Sequence, residues 1–268
     1  MVDIHSHILP QMDDGSTSLD ESIIMLQKSI SSGVDAIVAT SHLFPGVYMA
    51  PTGLRDEKLK ELRGEVLRLQ LPIEIIAGRE CYFSPEIYSY EKDLGKLTIN
   101  DNGKYLLIEA PMPEIPQYVD QMIFDIQVRG ITPIIAHVER YHEIIENPNL
   151  TLKYIDSGCL IQVNIGSVLG KYGKRIQQTA EILLEHQMVH VVASDMHTRG
   201  SMPLGEGFAD LSQIVGQAEA QRLVDERPRA IIQNHFVHHP GPLVYYPKRS
   251  FKNLWGLLSH PSPYKDQS

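Results

Sequence analysis

The sequence predicts an α/β fold, a TIM-like barrel of parallel strands with a metal site at the carboxyl ends of the strands. Two observations lead to this prediction. Apolar runs typical of buried parallel strands alternate with helical segments through seven strands. Six of the seven runs supply a histidine or an acidic residue at their carboxyl ends. Seven short crossovers in succession favour closure of the sheet, and 268 residues suit a barrel, which typically has roughly 250 residues.

The first strand carries two histidines. Val2–His7 is extended in character, and because side chains alternate across a strand, His5 and His7 point to the same face. Two imidazoles at one spot can hold a metal ion, although His-Ser-His also occurs by chance on an exposed edge. This motif therefore needs support from the other strands.

The following segments repeat a helix–strand unit. Ser18 to Glu21 reads as a capping box that begins a helix, Gly33 ends it, and Ala36–His42 is the second strand. The predicted helices then lie near 56–69, 85–94, 115–129, 149–157 and 175–186, and the predicted strands at 73–80, 105–109, 132–137, 159–164 and 190–197. Residues 1–237 are predicted to form one domain, with 238–268 as an extension that is not a separate domain.

The carboxyl ends of the strands collect metal-ligand residue types. The candidates are His5, His7, Asp14, His42, Glu80, Glu109, His137, Asp195 and His197. About four ligands suffice for one ion, so nine predict more than one. Clusters of cations suit phosphoryl transfer, and the sequence therefore predicts metal-assisted hydrolysis of a phosphate ester.

Two arginines are candidates for holding the phosphate. Arg140 and Arg199 follow His137 and His197 by three and two residues. A guanidinium can bind phosphate through two parallel hydrogen bonds. The alternative is an arginine on a surface loop that pairs with a nearby glutamate.

Composition excludes several other classes of protein. A net charge of −9 argues against nucleic-acid binding, and no apolar run is long enough to span a bilayer. No signal peptide is recognised, and with only Cys81 and Cys159 present we expect a cytoplasmic protein with reduced thiols. Ile87 and Ile165 stand where a cysteine phosphatase would need its arginine, and no Walker loop or nucleophile elbow is present.

The motifs resemble a known family. Asp3-Ile4-His5-Ser6-His7 is similar to the first motif of the polymerase and histidinol phosphatase (PHP) superfamily. The longer strings resemble the bacterial manganese-dependent tyrosine-protein phosphatases of capsule and exopolysaccharide loci, from residue 1 to about residue 232. These strings are His5-Ser6-His7-Ile8-Leu9-Pro10, Asp13-Asp14-Gly15, Thr40-Ser41-His42, Ile134 to Tyr141, and Ala193 to His197.

The resemblance implies a distorted (β/α)7 barrel that holds three divalent metal ions, with Mn expected and Fe, Co or Zn as alternatives. One ion would take His5, His7, Glu80 and Asp195. A second would take Glu80, Glu109 and His137, with Glu80 bridging, and a third Asp14, His42 and His197. Arg140 matches the phosphate-contacting arginine of the family. The second arginine of the family falls where this chain has Met202, and Arg199 is the candidate to replace it.

The resemblance also implies a reaction and a partner. The expected substrate is the phosphotyrosine tail of a tyrosine autokinase that drives polysaccharide export. The hypothesised mechanism is in-line attack by a metal-bound hydroxide, with no covalent phosphoenzyme.

Three alternatives stay open. Another PHP phosphoesterase would act on histidinol phosphate or a sugar phosphate. An amidohydrolase would usually carry a lysine at the end of strand four, where this chain has Glu109. A third alternative is a metal-binding regulatory module without catalysis.

The extension has a different character from the barrel. Residues 238–268 carry four Lys or Arg and one Asp, together with Phe251, Leu254, Trp255, Leu257 and Leu258. This composition suits an anchor for an acidic partner or membrane surface. Packing against the chain's own barrel or a neighbouring subunit is the favoured alternative, because exposed Trp and Leu seldom stay unburied.

Overall fold

The protein is an α/β fold of parallel strands, seen in a computed structural model that describes residues 1–247. Every strand pairing in this part of the chain is parallel. The strands are β1 (Val2–Ser6), β2 (Ala36–Ala39), β3 (His42–Leu43), β4 (Glu74–Ala77), β5 (Glu80–Tyr82), β6 (Tyr105–Glu109), β7 (Thr132–Ile135), β8 (Leu160–Asn164) and β9 (Val191–Ala193).

The strands form two sheets that curl towards each other. One sheet has the order β1-β2-β4 and the other β3-β5-β6-β7-β8-β9. Beyond the end of β9, the backbone of Met196 bridges to Ser6 of β1, and the His7 N–H donates to the Met196 carbonyl at 2.9 Å. The last strand of the second sheet is thereby bonded to the first strand of the first sheet.

Two predicted strands are interrupted at the same level. The predicted runs 36–42 and 73–80 break at Thr40-Ser41 and at Gly78-Arg79, so that each becomes two short strands. Thr40 accepts the Ser6 N–H on its Oγ1 at 2.9 Å. A Cβ on Gly78 would lie 2.7 Å from a Val38 methyl, so the backbone that follows β4 lies close to β2 here. The ladder resumes with His42 opposite Glu80.

The helices lie on the outside of the sheets. They are α1 (Leu19–Ser31), α2 (Thr52–Arg68), α3 (Ile87–Tyr90), α4 (Tyr118–Val128), α5 (His142–Glu146), α6 (Leu150–Asp156), α7 (Ile165–Val168), α8 (Lys174–Glu185), α9 (Phe208–Val215), α10 (Gln217–Gln221) and α11 (Arg227–Ile232). Ser18 caps α1 by accepting the Glu21 N–H at 3.2 Å, as predicted, whereas the Glu21 carboxylate bonds to Thr17 instead of Ser18.

Alternating side chains divide the core into two layers. On β6, Tyr105 and Leu107 belong to the apolar cluster inside the curled sheets, and Leu106 and Ile108 to the cluster beneath the helices. Strands buried on both faces explain the continuous apolar runs of the sequence.

Residues 238–247 pack along the outside of the fold. The His239 ring stacks on His190 at 4.0 Å, and the Leu243 N–H donates to the His186 carbonyl at 2.8 Å. Tyr245 exchanges two hydrogen bonds with the Asn149 side chain. The described part of the predicted extension therefore contacts the chain's own fold, just outside the ends of α6, α8 and β9. The apolar residues predicted to anchor it, Phe251, Leu254, Trp255, Leu257 and Leu258, lie outside the described residues. Through residue 247, the helices are all too short or too polar to cross a bilayer.

Candidate metal centre

All nine candidate ligands meet in one cluster. Their donor atoms fall into four overlapping groups, within each of which the atoms lie no more than 4.8 Å apart. The groups are His7, Asp14, His42 and His197; His5, His7 and Glu80; His5, His137 and Asp195; and His42, Glu80 and Glu109. The geometry brings together the residues that the sequence places at different strand ends.

Glu80 stands at the centre of this cluster. Its Oε2 lies 3.2 Å from His5 Nε2, 3.3 Å from His7 Nε2 and 3.0 Å from His42 Nδ1. The same oxygen is buried and makes no hydrogen bond with any group in residues 1–247. A buried carboxylate oxygen without a hydrogen bond is costly, and three imidazole nitrogens around it form a donor set that a divalent cation would satisfy.

A second carboxylate extends the cluster towards β6 and β7. His137 Nε2 lies 3.0 Å from Glu80 Oε1 and 3.7 Å from Glu109 Oε1. His42 Nδ1 is 4.0 Å from Glu109 Oε2. Glu80 is thus adjacent to every other donor on this side, which suits a bridging carboxylate.

The mouth of the cluster is formed by its more exposed members. Asp14 Oδ1 lies 3.6 Å from both His42 Nε2 and His197 Nε2. The side chain of Asp14 is 50% exposed and that of His197 27%, whereas His5 and His7 are fully buried. The cluster is therefore open to solvent on the Asp14 and His197 side.

Two of the candidate ligands have an unusual backbone conformation. His137 has φ 34° and Asp195 has φ 53°, both in the left-handed region that residues with a side chain seldom adopt. The Asp195 N–H donates to the His5 carbonyl at 2.9 Å, which fixes the turn at the end of β9. Such strain is typical of functional sites, where the surrounding structure imposes it.

Burial and neighbouring charges shift the pKa values within the cluster. Burial alone would lower the pKa of His5, but the Glu80 and Asp195 carboxylates outweigh it and raise the value to about 9. Burial also raises the pKa of Glu109, and repulsion from Glu80 and Asp195 brings it to about 8. Imidazolium charges partly offset the carboxylates, and a bound cation would take over that role.

Three side chains that the sequence analysis did not select orient the ligands. Asp13 Oδ2 accepts from His7 Nδ1 at 2.8 Å and from the His42 N–H at 2.7 Å. Gln162 Oε1 lies 3.1 Å from His5 Nδ1 and accepts the His137 N–H at 2.9 Å. Asn164 Nδ2 donates to Asp195 Oδ2 at 2.7 Å. Gln162 and Asn164 belong to β8, whose run supplies none of the nine ligands.

The two candidate arginines occupy different places. Arg140 Nη1 lies 3.4 Å from Asp195 Oδ2, and its guanidinium sits 4.9 Å from the Tyr172 ring centre. Arg199 is exposed, and its backbone contacts Glu21 and Lys28 of α1. Across residues 1–247, no hydrogen bond or ion pair joins the Arg199 side chain to the nine candidate ligands, so its phosphate-binding role stays a prediction.

Two relatives are similar to this chain over most of its length. The tyrosine-protein phosphatase YwqE of Bacillus subtilis is 38% identical over 200 residues, 74% of this chain and 77% of that protein. The tyrosine-protein phosphatase CpsB of Streptococcus pneumoniae is 33% identical over 244 residues, 88% of this chain and 100% of that protein.

A solved structure shares the fold over most of the chain. It comes from work on YwqE from Bacillus subtilis and CpsB from Streptococcus pneumoniae, described as unique metal-dependent tyrosine phosphatases. Its TM-score is 0.84 at 32% identity, and the match covers 92% of this chain and 100% of that chain. Residues 1–233 match the family described as capsular polysaccharide synthesis, CpsB/CapC. This chain therefore belongs to the CpsB/CapC family of capsular polysaccharide synthesis proteins.

Proposed function

We propose that this chain is a metal-dependent protein-tyrosine phosphatase, a phosphoric monoester hydrolase. The observation that carries the proposal is the convergence of nine imidazole and carboxylate side chains, Glu80 among them, with Arg140 beside them. Relatives that align with most of the chain are named tyrosine-protein phosphatases, and the similar solved structure is described as metal-dependent.

The nine donors fit three divalent ions, and Mn is our proposed metal. His5, His7, Glu80 and Asp195 would hold one ion, Glu80, Glu109 and His137 a second, and Asp14, His42 and His197 a third. The donor groups overlap with this division without reproducing it: His7 also lies within reach of the third group, His42 is grouped with Glu80 and Glu109, and His137 with His5 and Asp195. The division is supported for His137 by its distances of 3.0 Å to Glu80 and 3.7 Å to Glu109. When bound, the ions would activate water and neutralise phosphate charge.

The remaining residues have positioning and binding roles. Arg140 is proposed to bind two phosphate oxygens, because its guanidinium is held beside Asp195 and the Tyr172 ring. Asp13 and Gln162 hold the outer nitrogens of His7 and His5 and so fix the direction of the inner ones. The phosphate would then be presented in one orientation to the attacking water.

The architecture supports a site at the carboxyl rim of a distorted (β/α)7 barrel. Counting the interrupted runs as single strands gives seven strands, and the bridge between Ser6 and Met196 supports closure of the ring. We propose residues 1–237 as the catalytic domain, with 238–268 as its extension.

The family description suggests the biological setting. We infer that the substrate is a phosphotyrosine protein of capsule or exopolysaccharide synthesis, with a bacterial tyrosine kinase as the proposed partner. A cytoplasmic location is also proposed, since Cys81 and Cys159 are buried free thiols.

A substrate panel tests the proposed function. The Mn²⁺-loaded chain should hydrolyse a phosphotyrosine peptide with a kcat/KM at least about 100-fold above that for histidinol phosphate. The reason is that a protein phosphatase needs an open mouth, as the exposed Asp14 and His197 provide. Phosphate release on both substrates is the measurement, and metal analysis of the same sample gives the number of ions. Faster turnover of histidinol phosphate would instead assign the site to a small phosphate monoester.

A further inference from the structure

Three aromatic rings stand beside the mouth of the metal centre. We call Phe44, Tyr48 and Tyr82 the aromatic lip. The Tyr48 ring is stacked on His42, with 5.5 Å between ring centres and 9° between planes. The Phe44 ring is stacked on Tyr82 at 3.8 Å and 8°. The lip thus consists of flat rings placed next to a candidate metal ligand.

The lip is built on a closed hairpin. Phe44 and Tyr48 exchange two backbone hydrogen bonds of 2.8 Å, and Gly46 turns the chain with φ +83°. Because the backbone is bonded to itself, the rings keep their positions relative to the strand that precedes them.

A buried arginine fixes the base of this hairpin. Arg79 is 1% exposed, and its Nη2 donates to the Ala50 carbonyl at 2.7 Å. Its Nη1 lies 3.4 Å from the His42 carbonyl, so one guanidinium holds both ends of segment 42–50. Tyr90 adds a hydrogen bond from its hydroxyl to the Met49 carbonyl. Burying a guanidinium is costly unless its N–H groups find acceptors, and here the acceptors are backbone carbonyls of segment 42–50. Arg79 therefore holds this segment in a fixed position.

The segment that carries the lip adds apolar surface beside an otherwise polar site. Val47 is 59% exposed and Met49 47% exposed, and both lie within segment 42–50. Tyr82 pairs in register with Glu109, whose side chain is 12% exposed at the mouth. Hydrolysis of a phosphate does not require an apolar surface. An aromatic ring attached to that phosphate, however, would bind more tightly when it packs against one.

We propose that the aromatic lip receives the phenyl ring of phosphotyrosine and sets a preference for aryl over alkyl phosphate monoesters. This proposal rests on the proposed function. It separates two tasks within the site. Arg140, which contacts Asp195 and Tyr172, holds the phosphate, and the lip holds the ring.

Binding of two phosphonates to the Mn²⁺-loaded full chain tests the lip without turnover. Isothermal titration should show that phenylphosphonate binds more tightly than methylphosphonate. Tyr48→Ala should reduce this preference roughly three- to tenfold, the effect of losing one ring–ring contact. The Kd of methylphosphonate should change by less than about twofold, since the phosphonate contacts are kept.

Matched variants separate recognition from folding. Tyr48→Phe keeps the ring and should retain the phenyl preference, and Phe124→Ala removes an exposed ring of α4, away from the lip, and should leave both Kd values unchanged. If Tyr48→Ala does not fold, Tyr48→Leu keeps the bulk and should show the same loss of preference.

The outcomes for the lip and for the proposed function are distinguishable. An equal preference for phenylphosphonate in the parent chain and in Tyr48→Ala or Tyr48→Leu would refute the role of the aromatic lip, even if phosphotyrosine is hydrolysed. A parent chain that binds phenylphosphonate preferentially but never hydrolyses phosphotyrosine would instead count against the proposed function alone.

Discussion

Two buried histidines at opposite ends of the strands show what distinguishes a ligand from a packed side chain. His5 lies near the carboxyl end of β1, and His190 just before β9. Both are at most 4% exposed. Burial lowers the pKa of both, but Glu80 and Asp195 raise that of His5 to about 9, whereas His239 and Arg227 push that of His190 further down, to about 2.

The difference lies in the neighbours. His190 accepts the Ile161 N–H on its Nδ1 at 3.1 Å and stacks on His239, so its surroundings favour the neutral ring. His5 faces two carboxylates, a setting that favours positive charge. A histidine on its own therefore indicates little, and a histidine among carboxylates indicates a cation site.

The largest expected effect comes from removing a candidate ligand at the mouth. His42→Ala takes one donor from two of the four groups. We expect kcat/KM on a phosphotyrosine peptide to fall at least about 1000-fold, with less bound metal and a retained fold. The paired variant is His190→Gln at the other end, which should keep activity within about twofold. Metal analysis, thermal melting and peptide assays on both variants are the measurements. A fully active His42→Ala variant would refute the distinction between a ligand and a packed histidine.

A smaller effect is expected from the residue that orients His5. Gln162→Leu removes the acceptor for His5 Nδ1 and for the His137 N–H. Loss of such an outer contact should lower Mn²⁺ affinity or kcat/KM about 10- to 100-fold. Gln162→Glu keeps an acceptor oxygen and should be less impaired. Gln27→Leu, on the exposed side of α1, is the matched control. A Gln162→Leu enzyme with parental affinity and rate would show that the outer contact is dispensable.

The smallest expected effect concerns the contribution of His190 to the pH dependence of the free energy of unfolding. The folded chain keeps this ring neutral, because its pKa is about 2, whereas the unfolded chain protonates it below pH 6.5. The free energy of unfolding therefore falls as the pH drops below 6.5, by about 2 kcal/mol at pH 5.

Urea unfolding at pH 7 and pH 5 measures this loss. His190→Gln keeps an acceptor for the Ile161 N–H but has no proton to take up, so its decrease between the two pH values should be smaller by that amount. The same decrease in both proteins would refute the assignment.

Part of the site was readable from the sequence because its residues are of ligand type and stand at strand ends. That reasoning selected all nine residues that the structure groups, His5 to His197. It passed over Gln162 and Asn164, because amides are not typical ligands and their role depends on which strand lies beside β8. The left-handed backbone of His137 and Asp195 is also invisible in a sequence, since tertiary contacts impose it.

The fold was predicted in outline and less well at its boundaries. Helix α2 begins at Thr52, four residues before the predicted start, and α3 covers only Ile87–Tyr90 of the predicted 85–94. The helices α9 to α11 were not predicted. Local patterns set the type of an element, whereas its ends depend on what it packs against.

The left-handed conformation of Asp195 has a consequence for how this family can diverge. Asparagine tolerates that backbone region as well as aspartate does, so Asp195→Asn adds no strain to the turn at the end of β9. One carboxylate would be lost from the cluster while the scaffold stays intact. On the proposed division of the ligands, a relative with asparagine at this position would keep the fold and lose an anionic metal ligand.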